Sequence, residues 1–113
     1  MAWELIVKDT FSSAHFLEHY KGKCEKMHGH TFEIEVCLDV SKLDKSGIAI
    51  DFTEIKAYLK ELLPDHKVLN NEFDFSPSAE NLSRYFYHKI GEKYPVASVM
   101  IWESANAGAR YSE

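Results

Sequence analysis

From Trp3 to Phe11 apolar residues hold mostly odd positions (Trp3, Leu5, Val7, Phe11), and this period of two predicts a strand with one buried face. Between Phe32 and Leu38 the pattern is cleaner. Phe32, Ile34, Val36 and Leu38 alternate with Thr31, Glu33, Glu35, Cys37 and Asp39, which predicts a second strand. The segment "VSKLDKSGI" breaks the alternation with Asp, Ser and Gly, as a loop does. Thereafter the period lengthens: Ile55, Leu59, Leu62 and Leu63 fall at helical spacing, and Asp51 with Glu54 three residues on has the form of a capping box. Pro64 ends that helix. A second helix is expected from an N-cap at Ser78, burying Ala79, Leu82, Phe86 and Ile90, with Gly91 and Pro95 at or beyond its end. The tail "VASVMIWE" reads as a strand, and "NAG" turns it into a last short strand near 109–111.

The order strand, strand, helix, helix, strand, strand predicts an α+β fold: a four-stranded antiparallel sheet with two helices on one face and the opposite face polar. Such a sheet has two edges, so self-association along them is expected. With 113 residues the chain suits a single domain, 1–113, with one core. No apolar run approaches the roughly 20 residues that span a bilayer, so no membrane partner is expected. A formal charge of -5 disfavours a nucleic-acid surface and leaves a small molecule or a protein as the expected partner. Two cysteines and the absence of a leader pattern predict a reducing, cytoplasmic setting.

The stretch "CEKMHGH" holds a thiol, a carboxylate and two imidazoles within seven residues, Cys24 to His30. On a strand His28 and His30 point the same way, with Gly29 leaving room between them, and His15 continues the inward parity of the first strand. Hydrogen-bonded rim histidines are the plain alternative. Three imidazoles together instead resemble a catalytic zinc site with an open fourth position, whereas a closed structural site would recruit Cys24. His66, after Asp65, either caps the preceding helix or works with its neighbour. Glu103 closes an apolar strand, where a carboxylate needs a cation such as Arg110 or a donor-rich partner. Cys37, within a regular alternation, reads as structural.

In this order "FSSAHFL", "CEKMHGH", "GIAIDFTEIK", "DHKVLN", "SAEN" and "WES" resemble the 6-pyruvoyltetrahydropterin and 6-carboxytetrahydropterin synthase family nearly end to end. The resemblance implies the tunnelling fold, a β-β-α-α-β-β protomer whose trimers close a barrel and stack into homohexamers with active sites between subunits. It makes His15, His28 and His30 the Zn2+ ligands, Cys24 the catalytic thiol, Asp65 and His66 the acid/base partners, and Glu103 the anchor of the pterin. Phe16, Ser78 and Ser104 depart from the family's usual residues at their positions.

Cys24 stands four residues before His28, as in members making 6-carboxytetrahydropterin, a queuosine precursor. Glu25 stands three before it, as in members that make 6-hydroxymethyl-dihydropterin for folate synthesis. Carrying both, the chain resembles members with combined capability, while a solvated loop charge is the plain reading of Glu25. The resulting expectation is a zinc-dependent lyase acting on 7,8-dihydroneopterin triphosphate to give the carboxy product, with the hydroxymethyl product as a second activity. Formation of 6-pyruvoyltetrahydropterin by triphosphate elimination, or a non-catalytic pterin- or metal-binding module, are the alternatives.

Overall fold

The computed structural model describes residues 2–21 and 25–113. Two long strands dominate: β1 (Trp3–His15) and β2 (His28–Val40), each of 13 residues, run antiparallel from Trp3↔Val40 to His15↔His28. After β2 come α1 (Phe52–Leu62), β3 (Lys67–Val68), α2 (Leu69–Glu72), α3 (Ala79–Gly91), β4 (Val96–Trp102) and β5 (Gly108–Tyr111). The sheet order is β3-β1-β2-β4-β5. The α+β architecture and the order of the main elements are those expected from the pattern. The additions are a fifth strand of two residues, parallel to β1 at Ser13 and Ala14, and a one-turn helix after it. Both lie in the stretch after Pro64 and are too short to leave a periodic trace.

Period two decides which face is buried. Val7 and Phe11 of β1, Phe32, Ile34, Val36 and Leu38 of β2, and Val99 and Ile101 of β4 form one core with Ile55 and Leu59 of α1 and Leu82, Phe86 and Ile90 of α3. Both helices therefore cover the same sheet face. The other face carries Lys8 paired with Glu33 at 3.3 Å and Arg110 with Glu35 at 3.8 Å. Exposed pairs of this kind add at most about 1 kcal/mol, so that face gives solubility and specificity rather than stability.

The helix starts follow local chemistry. Asp51 accepts the Thr53 N–H at 2.9 Å and Ser78 the Asn81 N–H at 3.2 Å, each satisfying a free first-turn donor. The expected return bond of a capping box is not made. Glu54 instead accepts the Tyr94 hydroxyl at 2.7 Å, which ties the start of α1 to the turn after α3. Among the described residues no helix is long and apolar enough to cross a membrane.

The β4–β5 hairpin depends on one glycine. Gly108 lies opposite Trp102, and a Cβ there would stand 2.6 Å from the Ile101 carbonyl oxygen and 3.0 Å from the Trp102 ring. Backbone cannot yield as a side chain can. Gly108→Ala is expected to lower stability by about 1–3 kcal/mol, read as a shifted urea midpoint at unchanged slope.

Candidate metal centre

The β1–β2 ladder ends in histidines. His15 is the last residue of β1 and pairs with His28, the first of β2, while His30 pairs with Ser13. Directly opposed residues project to the same face, and that face is the core side. The three rings form a near-equilateral triangle with centroid separations of 4.7 Å (His15–His28), 5.0 Å (His15–His30) and 4.6 Å (His28–His30). Beneath them lies Phe32, whose ring stands edge-on to His15 at 5.3 Å and to His30 at 5.4 Å. Gly29 is not what makes room. Alternation turns it to the opposite face, where an added Cβ would meet the Ser13 carbonyl at an ordinary 3.8 Å.

Backbone carbonyls set the tautomers of two rings. His15 Nδ1 lies 2.8 Å from the Pro77 carbonyl oxygen and His28 Nδ1 lies 2.9 Å from that of Lys26. A carbonyl only accepts, so each Nδ1 carries the proton and each Nε2 keeps its lone pair. The Pro77 carbonyl is itself held by a built turn, in which the Asn81 side-chain amide donates to Ser76 O at 2.9 Å. His15 is almost wholly buried, yet its Nε2 has no hydrogen-bond partner, and neither has the buried Nε2 of His30. Two buried ring nitrogens without a hydrogen-bond partner on one apolar face are costly unless something binds them.

Glu103 joins the group. It follows β4, and its Oε1 lies 3.5 Å from His30 Nε2. One ligand atom from each of His15, His28, His30 and Glu103 can be chosen so that all lie within 4.8 Å of one another, a set able to hold a metal ion. Arg110, the plain partner considered for Glu103, pairs with Glu35 instead. Burial pushes the His30 imidazole below its ordinary pKa. The Glu103 carboxylate opposes this, and the other two rings reinforce it. Desolvation dominating, His30 is neutral at neutral pH, as a ligand must be. Neutral nitrogen donors with one carboxylate suit a borderline divalent ion such as zinc, so the residues fit the group the resemblance implies.

The remaining predicted residues fall in three places. Glu25 is beside the triad: its Oε1 lies 3.8 Å from His28 Nδ1 and accepts the Leu17 N–H at 3.1 Å, so it is not a free loop charge. Cys24 lies outside the described residues. Asp65 and His66 are docked on β1 from its edge, with Asp65 Oδ1 accepting the Ser12 N–H at 2.7 Å and His66 N–H donating to Ser12 O at 2.6 Å. This takes His66 into the left-handed region, φ 56°, which few non-glycine residues adopt. Its exposed ring borders a recess of about 450 Å³ lined with Ser12, Ser13, Gly29, Thr31 and Lys67 and, from the triad, His30. The recess thus reaches both His66 and one ring of the chain's own triad. Sequence reasoning passed over Asn70, Pro77 and Lys26. The last two act through carbonyl groups that every residue has.

Comparison with known proteins places this geometry. The chain is 32% identical to the 6-carboxy-5,6,7,8-tetrahydropterin synthase of Synechocystis sp. over 119 aligned residues, covering 96% of this chain and 92% of the relative. It is 25% identical to the enzyme of the same name from Haemophilus influenzae, over 92% and 94% of the two chains. The solved Caenorhabditis elegans 6-pyruvoyl tetrahydropterin synthase superposes with a TM-score of 0.81 at 21% identity, covering 98% of this chain and 95% of that one. The family model of 6-pyruvoyl tetrahydropterin synthase matches residues 4–113, and the chain belongs to that family.

Proposed function

We propose that the chain is a zinc-dependent lyase converting 7,8-dihydroneopterin triphosphate to 6-carboxy-5,6,7,8-tetrahydropterin, a queuosine precursor, in the cytoplasm. The observation that carries the reading is the histidine triangle with its unpartnered Nε2 atoms. The choice of product is supported by the names of the Synechocystis and Haemophilus relatives. His15, His28 and His30 would hold the ion, which when bound supplies Lewis-acid stabilisation of negative charge on the substrate's side-chain oxygens.

The chain's other groups then divide the work. Cys24 is assigned, from the resemblance, to take a carbon-bound proton as a thiolate. Glu103 accepts two parallel hydrogen bonds from the pterin amino group and the adjacent ring N–H, which fixes the ring beside the triad. Asp65 orients His66 for proton transfer on the substrate's other side. Because the resemblance implies active sites between subunits, we assign the pair to the site of a neighbouring copy in a homo-oligomer, a hexamer built as two trimers. The hydroxymethyl product would call on the Glu25 carboxylate in place of the thiol, a second reading favoured by its 3.8 Å approach to His28.

The test is metal analysis combined with mass spectrometry of the products, because the carboxy, pyruvoyl and hydroxymethyl pterins differ in mass. The carboxy product from the parent and none from Cys24→Ala is the expected result. Pyruvoyl product, or zinc uptake without turnover, would refute the assignment. Glu103→Gln is expected to raise KM by about tenfold or more, the loss of one charge-assisted hydrogen-bonded pair, at unchanged zinc content. Lost zinc with unchanged KM would make Glu103 a ligand instead.

A further inference from the structure

Immediately after His15 the chain leaves β1 through Phe16 and Leu17, beyond the end of the ladder. All four main-chain polar groups of this dipeptide are nonetheless bonded, and by only two residues. Asn70 of α2 accepts the Phe16 N–H with Oδ1 at 3.0 Å and donates from Nδ2 to Phe16 O at 2.9 Å. From the other side Glu25 accepts the Leu17 N–H with Oε1 at 3.1 Å and donates its own N–H to Leu17 O at 2.9 Å. Asn70 thus imitates a neighbouring strand, and Glu25 closes a bridge between the exits of β1 and β2.

We propose that Asn70 and Glu25 are positioning residues for the metal centre, clamping Phe16–Leu17 so that His15 and His28 keep the spacing one ion requires. The proposal rests on the functional reading above and gives the Glu25 carboxylate a structural task within it. The reach is short. Glu25 begins the run to His28, and Lys26, next to Glu25, presents the carbonyl that receives His28 Nδ1–H. Ligand sets tolerate errors of only about half an ångström, so partners outside the ligands matter. Only a side-chain amide carries an acceptor and a donor that both match one residue's N–H and C=O, which accounts for asparagine at 70. At 25 the clamp needs one acceptor oxygen, which an acid or an amide supplies equally.

The test measures zinc affinity by chelator competition, the visible spectrum of the cobalt-loaded protein, and kcat and KM, in Asn70→Ala, Asn70→Asp, Glu25→Ala and Glu25→Gln. Asn70→Ala, Asn70→Asp and Glu25→Ala are expected to bind zinc about tenfold more weakly or worse and to shift the cobalt bands. Glu25→Gln, which keeps the acceptor, should restore affinity, spectrum and formation of the carboxy product, which is assigned to Cys24. Asn70→Asp keeps size and the Phe16 N–H acceptor and sets a negative oxygen against the Phe16 carbonyl in place of the donor, so it carries the test if the alanine variant does not fold. Parent-like affinity and spectra in the Asn70 variants would overturn the proposal. So would a Glu25→Gln protein that holds zinc normally yet forms the carboxy product as poorly as Glu25→Ala, since that marks a proton-transfer group for that product. A parent protein that takes up no zinc would overturn the functional reading itself, whereas parent-like variants overturn the clamp alone.

Discussion

Replacing His15 with alanine is expected to strip the bound metal and lower turnover by roughly a hundredfold to a thousandfold or more, the several kcal/mol that Lewis-acid stabilisation contributes. His15 stands out among the three histidines because it belongs to both the cluster and the core. It is 1% exposed and Nδ1–H bonds the Pro77 carbonyl at the approach to α3. The variant would leave that carbonyl without its donor, so a further loss of about 1–3 kcal/mol in the metal-free protein is expected. His28 provides the contrast. It is about one-third exposed and its Nδ1 partner is the local Lys26 carbonyl, so His28→Ala should lose metal with little change in metal-free stability. Metal content by elemental analysis and thermal unfolding with and without a chelator check both statements. A chelator should lower the melting temperature of the parent and leave that of His15→Ala where it is. A His15→Ala protein that retains stoichiometric zinc would remove the site.

The histidine cluster was legible in the sequence because a strand has one strict rule. Side chains alternate, so His28 and His30 had to share a face, and the inward parity of His15 followed from Val7 and Phe11. What alternation cannot supply is the partner of each ring, since the Pro77 and Lys26 carbonyls are chemically like any others. The same limit applied to Glu54, whose three-residue spacing from Asp51 fits a capping box but whose carboxylate is taken by Tyr94 from 40 residues away. The pairing of Lys67 and Val68 with β1 is likewise a long-range fact about a two-residue segment. Glu103 was singled out for its awkward place at the end of an apolar strand, but its contact with His30 is set by the β2–β4 register, in which Trp102 pairs with Glu33. His66 was recognisable as a functional residue type, yet its place beside the end of β1 is decided by the hydrogen bonds of its turn to Ser12.

Phe32→Ala is expected to cost about 3–5 kcal/mol of stability and, separately, to weaken zinc binding. The first effect follows from burial. Phe32 is 0% exposed and stacks on Phe11, its partner across the β1–β2 ladder, at 5.0 Å and 13°. The second follows from its two other neighbours, the edges of His15 and His30, which would gain a void to sink into. Phe86→Ala separates the two. Phe86 is equally buried and packs on Phe11, Phe73 and Tyr85 from α3, so its loss should destabilise by a similar amount. Its ring is not part of the triad's floor, and the folded fraction should bind zinc as the parent does. Urea unfolding of the metal-free variants gives the first quantity, and chelator competition below the unfolding transition gives the second. Phe32→Leu, which fills most of the volume, should cost less than about 1.5 kcal/mol and restore most of the affinity. Equal zinc affinity in Phe32→Ala and Phe86→Ala would mean that the triangle is held from its rim alone, by Pro77, Lys26 and the Phe16–Leu17 clamp, and owes nothing to the core beneath it.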